Sequence, residues 1–295
     1  MSKGTTRAGR GPRTVGFIAG VAALVASVAM AQFGVQLATA TPAAATLPGL
    51  VRATPVSSPS NGAQVKNATA VCPPFTVVVG GGARVSGINS SQMRLTRMMP
   101  VTSGSSSYYA VTAEAPTPAY VGNWQVTAYA VCAGLPAGYK IEPAANSAHN
   151  SGTFKQTAAV CSGGRRAIGG GAAVGGFGAT GQIGLQLSRA SGPLDIWRAT
   201  GREDADGFGG DWHVTAWVIC VNPIGAQVAY GSGSQSANAD CPGTTQVHGA
   251  GGGGGLSDAG PVFLRVVEPL PGLRRVTAAM TGPYPGGMVA QAVCD

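Results

Sequence analysis

The segment Trp124-Gln125-Val126-Thr127-Ala128-Tyr129-Ala130-Val131-Cys132 decides the fold class. In an extended chain Trp124, Val126, Ala128, Ala130 and Cys132 fall on one side, and Gln125, Thr127, Tyr129 and Val131 on the other. Alternation with period two predicts a half-buried β-strand whose cysteine points inward beside the tryptophan. The same pattern returns as Trp212-His213-Val214-Thr215-Ala216-Trp217-Val218-Ile219-Cys220. It returns again, without the tryptophan, as Gly286-Gly287-Met288-Val289-Ala290-Gln291-Ala292-Val293-Cys294.

Working outward, each closing cysteine has an opening partner. The six cysteines stand at 72, 132, 161, 220, 241 and 294. Eight residues after each opening cysteine comes a glycine cluster: Gly80-Gly81-Gly82-Ala83, Gly169-Gly170-Gly171-Ala172 and Gly249-Ala250-Gly251-Gly252. Such clusters mark places where strands or backbones approach closely. Two inner segments match as well. Gln92 to Arg97 corresponds to Gly184 to Arg189 and Val262 to Val267, and Tyr109 to Ala113 corresponds to Ile196 to Thr200 and Arg275 to Ala279. Repeats therefore span 67–135, 155–223 and 236–295. They predict an all-β chain of three tandem, four-stranded, disulfide-stapled units in a pseudo-threefold, β-prism-like body, with a β-trefoil or three small sandwiches as alternatives. Of the many pairings that six cysteines allow, the repeat logic selects Cys72–Cys132, Cys161–Cys220 and Cys241–Cys294. No C-x-x-C or Cys/His cluster points to zinc.

Composition agrees. The chain of 295 residues holds 47 glycines, only 10% charged and 6% aromatic residues, which suits a sheet protein with many turns and not a disordered chain. The net charge of +8 owes much to Lys3, Arg7, Arg10 and Arg13. No basic run beyond the pairs Arg165-Arg166 and Arg274-Arg275 follows, so nucleic-acid binding is excluded. The basic residues 1–14, the apolar stretch Val15 to Ala31 and the small-residue sites Ala29-Met30-Ala31 and Ala38-Thr39-Ala40 read as a signal peptide over 1–40 and a secreted or cell-envelope protein. An uncleaved membrane anchor is the alternative, since the apolar run of roughly 17 residues is at the lower edge for a span. Residues 41–66, rich in Ala, Pro, Ser and Thr, read as a flexible spacer.

The pattern Cys72-Pro73…Gly80-Gly81-Gly82-Ala83…Trp124-Gln125-Val126-Thr127-Ala128…Cys132 resembles a repeat of secreted actinobacterial proteins, over nearly all of 70–295. That resemblance implies export and no particular chemistry. The layout of Cys-Pro openings (Cys72-Pro73, Cys241-Pro242) and closing cysteines is also similar to the vitelline membrane outer layer family, from which the glycine clusters depart. That similarity implies a β-prism fold and association with carbohydrate or matrix.

Other motifs carry less. Gly176-Phe177-Gly178-Ala179-Thr180-Gly181 matches G-x-G-x-x-G, but the strand-like Gln182 to Leu187 follows where a dinucleotide site needs a helix. Glu203, Asp204, Asp206 and Asp211 crowd one loop; the last three are a weak Ca²⁺ candidate, and a solvated hairpin loop is the plainer reading. His149, His213 and His248 match no repeated position and suggest no triad. Glu114 and Asp204 are the one carboxylate pair that loops could bring together for polysaccharide hydrolysis. Trp124 and Trp212 read as core. Tyr129 and Trp217 hold the same outward position in two repeats, and Trp197 and Tyr120 lie near turns; these four are the ligand-binding candidates, since exposed aromatics stack on sugar rings. The expectation is a non-catalytic secreted binding protein without cofactor, recognising glycan or cell-surface material through the loops near 86–91, 103–107, 203–211 and 281–287. A structural envelope or matrix component and a polysaccharide hydrolase are the alternatives.

Overall fold

The structure, a computed structural model, describes residues 47–295 except 117–121, 143–144, 177 and 256–259. The signal-peptide reading of 1–40 lies outside these residues, as does Tyr120. Among the described residues there is no helix long and apolar enough to cross a membrane.

Each pair of cysteines brackets four strands, and a fifth leads into the opening cysteine. The first unit holds β3 (Val65–Val71), β4 (Thr76–Gly87), β5 (Arg94–Ser103), β6 (Ser106–Glu114) and β7 (Trp124–Gly134). The second holds β10 (Phe154–Val160), β11 (Arg166–Gly176), β12 (Ile183–Ser191), β13 (Ile196–Glu203) and β14 (Trp212–Val221). The third holds β16 (Ser236–Asp240), β17 (Val247–Gly253), β18 (Leu264–Pro269), β19 (Arg275–Met280) and β20 (Met288–Cys294). The opening strand of each unit, short and adjacent to its cysteine, was hidden in sequence by its few large apolar residues.

Before each unit the connecting chain adds an edge: β1 (Val51–Arg52) and β2 (Val56–Ser57) on β7, β8 (Lys140–Ile141) and β9 (Ala145–Asn146) on β14, and β15 (Gln227–Gly233) on β20. Over 47–66 this corrects the flexible-spacer reading of 41–66, of which 41–46 lie outside the described residues. From Leu47 onward that segment is docked, with Ala53 and Ser58 buried, because β7 offers an unpaired edge of N–H and C=O groups that must find partners.

The strands form three antiparallel sheets, and every unit divides between two of them. Sheet 1 runs β1-β7-β4-β18-β19-β16, sheet 2 β3-β6-β5-β11-β14-β8, and sheet 3 β10-β13-β12-β17-β20-β15. One hydrophobic core lies between them, with Trp124, Trp197, Trp212 and Tyr109 among its largest members. A shared core and shared sheets are incompatible with three separate sandwiches.

Bulges fix which residues are equivalent. In the glycine-bearing strands Val79, Ile168 and His248 are the bulged residues; in β5, β12 and β18 they are Thr96, Gln186 and Arg265. Counted from these, Tyr109, Trp197 and Val276 are partners, one step away from the match read in sequence. A one-residue slip exchanges the faces of a strand, so Trp197, expected near a turn, is core.

The first glycine of each cluster sits where the sheets meet. A β-carbon on Gly80 would lie 2.0 Å from the His248 carbonyl oxygen, one on Gly169 2.1 Å from that of Val79, and one on Gly249 2.2 Å from that of Ile168. The contacts run cyclically, each sheet touching the next, and only glycine admits them.

Candidate functional site

The disulfides join sheets. Cys72–Cys132, Cys161–Cys220 and Cys241–Cys294 all form, with Cα–Cα distances of 5.7, 5.7 and 5.9 Å. Each ties the end of an opening strand in one sheet to the closing strand in another. No free cysteine remains among the described residues.

A second staple was missed in sequence. The Lys66 ammonium lies 5.1 Å from the Trp124 ring centroid and donates to the Asn61 side-chain oxygen and, at 2.9 Å, to the Pro59 carbonyl. Lys155 repeats this 4.8 Å over Trp212, bonded to Asn150. Burial lowers the pKa of both lysines. The signal was present as Asn-x₄-Lys-x₅-Cys at Asn61, Lys66, Cys72 and at Asn150, Lys155, Cys161. It holds the supposed spacer against the first unit.

Of the aromatic candidates, Trp197 is fully buried, its ring against Gly170 and its Nε1–H donated to Ser188 Oγ at 3.0 Å. Tyr129 is 5% exposed, because the Arg52 guanidinium of the docked edge strand lies 4.6 Å over its ring. Burial first, then Glu268, pushes its phenol up to about 12. Neither ring is available to a sugar. Trp217 is half-buried. Tyr230, passed over in sequence, is 58% exposed.

The acidic loop does not gather as a metal centre; no metal-holding cluster of His, Cys, Asp or Glu occurs among the described residues. The solvated-loop reading also fails in part. Glu203 is buried and accepts the Trp212 Nε1–H at 2.7 Å. Asp204 accepts from Arg94 Nη1 at 3.0 Å. Arg94, Gly184 and Phe263 are equivalent positions, and they meet: the guanidinium is 4.5 Å from the Phe263 ring, and a β-carbon on Gly184 would be 2.5 Å from that ring. Burial lowers the Arg94 pKa against the pull of Asp204 and Glu114. Glu114 accepts from the Gly181 N–H at 2.6 Å and from Thr96 Oγ1 at 3.3 Å, and burial raises its pKa. Glu114 and Asp204 therefore do approach one centre, but each is tied to donors of the fold. The cleft beside Glu114 measures ≈ 100 Å³ and is lined by Val174, Ala179 and Ile183 among others, well short of the ~300 Å³ at which ligand pockets begin.

His149 and His213, far apart in the sequence, stand edge to face with ring centroids 5.3 Å apart. Burial first, then His149, lowers the His213 pKa. His248 is fully buried, its Nδ1 2.8 Å from the Ile168 carbonyl oxygen.

The outward faces differ more than the cores. One row of residues crosses each sheet at equivalent positions, passing each join between units one residue beyond its last paired residues. In sheet 1 it reads Asn238, Thr277, Glu268, Gly82, Tyr129. In sheet 2 it reads Thr69, Ala110, Met99, Gly171, Trp217. In sheet 3 it reads Ala158, Arg198, Arg189, Gly251, Gln291, Tyr230. No protein-family model matches the chain, and no curated protein matches it.

Proposed function

We propose that this is an exported, non-catalytic binding protein that recognises glycan or other cell-surface material on the outward faces of its sheets. The observation that carries the reading is Tyr230, 58% exposed at the end of a rung that also presents Arg198 and Arg189. An exposed aromatic ring beside guanidinium donors offers stacking and hydrogen bonds on one flat surface, the combination that sugar rings with polar substituents engage. Three disulfides fit an oxidising, extracytoplasmic setting, and the glycine-packed core makes the faces rigid supports.

The test is retention of the oxidised protein on insoluble polysaccharides, peptidoglycan and whole cells. Retention on one of them, reduced by Tyr230→Ala and Trp217→Ala but not by Tyr129→Ala, supports the reading. No retention on any of them sinks it.

A further inference from the structure

We infer that sheet 3 carries a binding site for an oxyanion, a carboxylate or phosphate group, between Arg189 and Arg198. The two arginines stand directly opposite each other on β12 and β13. Their inward neighbours Ser188 and Trp197 are buried and bonded to each other, so alternation turns both guanidinium groups to the outer face. Like charges placed directly across two strands repel. Neither arginine has an ion pair or hydrogen bond to its guanidinium among the described residues, and Arg198 Nε is buried without a partner. A buried donor left unmade is costly and calls for an acceptor.

The equivalent rungs show what is missing. In sheet 1 the position of Arg189 holds Glu268, and two arginines close on it: Arg84 Nε at 2.5 Å and Arg52 Nη2 at 3.4 Å. There the chain supplies both the carboxylate and the cations. In sheet 2 the position holds Met99 opposite Ala110, and no charge arises. In sheet 3 the cations are present and the carboxylate is not. Planar guanidinium forks are suited to bidentate capture of such a group.

The surroundings leave room. A β-carbon on Gly251 would lie 2.8 Å from Arg189 Cβ, so glycine keeps the strand beside Arg189 bare. Gln291 spends its amide on Ala190, accepting from its N–H at 2.7 Å and donating to its carbonyl at 2.9 Å, with a longer contact of 3.4 Å from Nε2 to the Tyr230 hydroxyl, and so does not reach for the arginines. Tyr230, 58% exposed, closes the rung, its hydroxyl turned toward Gln291. Burial holds Arg189 below the usual guanidinium range, Tyr230 opposing this and Arg198 adding to it.

The inference deepens the binding reading above and rests on it only for the source of the anion: an acidic polysaccharide or a phosphate-bearing polymer. The experiment uses the oxidised full-length protein, with thermal unfolding in sodium phosphate against sodium chloride at matched ionic strength, and affinity for polygalacturonate, polyphosphate and neutral dextran. Phosphate is expected to raise the midpoint of the parent by several degrees through preferential binding to the native state, and to do so in neither Arg189→Gln nor Arg198→Gln. Binding to one acidic polymer is expected to weaken about tenfold in each variant, the effect of losing one charge-assisted hydrogen bond. Arg274→Gln, the loss of one charge at an exposed position elsewhere, is expected to change neither. Should the glutamine variants fail to fold, Arg198→Lys keeps the charge and loses the fork; weakened binding supports the site, and unchanged binding overturns it. Equal phosphate stabilisation of parent and variants overturns it too. Phosphate stabilisation lost in the variants, without retention on any polymer or cell, leaves the site standing and removes the glycan reading. Dextran binding with no anion effect does the reverse.

Discussion

The carbonyl oxygen of His248 lies against Gly80, 2.0 Å from where a β-carbon would stand. With the matching contacts of Gly169 on Val79 and Gly249 on Ile168, it closes a ring of backbone-to-backbone approaches through the three sheets. Gly80→Ala, Gly169→Ala and Gly249→Ala must each push one sheet off another. Each is expected to cost about 4 kcal/mol or more, the upper end for single substitutions. Gly209→Ala, with open space around it, is expected to stay within about 0.5 kcal/mol. Chemical denaturation of the oxidised proteins distinguishes the two classes, and equal stability of Gly80→Ala and Gly209→Ala would contradict the ring.

His248 holds the position of Val79 and Ile168 but is ionisable. Burial lowers its pKa, with the Asp295 charge and the hydrogen bond to Ile168 opposing. The unfolded chain, with a value near 6.5, takes up the proton first. Stability is therefore full above about pH 6.5 and falls as the pH drops. His248→Ile is expected to remove that fall, and its midpoint-against-pH curve below pH 6.5 should be flatter than the parent's. A parallel pair of curves would show that His248 contributes nothing to it.

Asp204 carries the opposite sign. Burial first, and then the hydrogen bond with Asp206, raise its pKa to about 6 against the pull of Arg94. The native protein thus binds a proton more tightly than the unfolded chain, whose aspartates titrate near 3.9. The stability so gained is complete below about pH 3.9 and is lost as the pH rises through about 6. Asp206→Asn removes a neighbouring charge while leaving the Arg94–Asp204 pair. It is expected to lower the Asp204 pKa, read by carboxyl-carbon NMR titration. An unmoved titration would mean that burial alone sets the value.

The Lys66–Trp124–Asn61 clamp should be measurable in the segment it holds. Lys66→Met removes the cation over the ring and two hydrogen bonds, and is expected to cost about 1–3 kcal/mol. Residues 47–60 should then be cut faster by limited proteolysis than in the parent, with the sheets left intact. Lys155→Met is expected to act in the same way on the chain before β10. Unchanged cleavage of both would show the edge strands to be held by their backbone pairing alone.

Non-reducing peptide mapping is expected to recover Cys72–Cys132, Cys161–Cys220 and Cys241–Cys294. Removing one bridge as a double serine variant should cost about 2–4 kcal/mol, measured by denaturant unfolding. A peptide linking Cys132 to Cys161 would contradict both the repeat reading and the structure.

Much of the fold was legible because period-two alternation and glycine spacing are local signals. The closing strands, their inward cysteines and tryptophans, and the close approach at the glycine clusters all follow from residues within one unit. The docked segment 47–66 was not legible by composition, since its hold comes from a β7 edge far along the chain and from two side chains, Lys66 and Asn61. The candidate aromatics divided for a similar reason. Whether Tyr129 faces solvent depends on Arg52, which arrives from an edge strand, and Trp197 was misplaced by a one-residue slip in aligning strands interrupted by bulges.

By itself the sequence determined an all-β chain with cysteines paired unit by unit, because side-chain alternation and repeated spacing need no knowledge of distant neighbours. Only the tertiary structure decided that every unit is shared between two sheets. The joins between units are two-residue pairings, Ala83 to Val267, Ala172 to Met98 and Gly252 to Ser188 among them, and backbone hydrogen bonding leaves no trace in residue identity. The same holds for the outer rungs. Glu268 finds Arg52 and Arg84, 216 and 184 residues away, because charges distant in sequence become neighbours only when strands come into register.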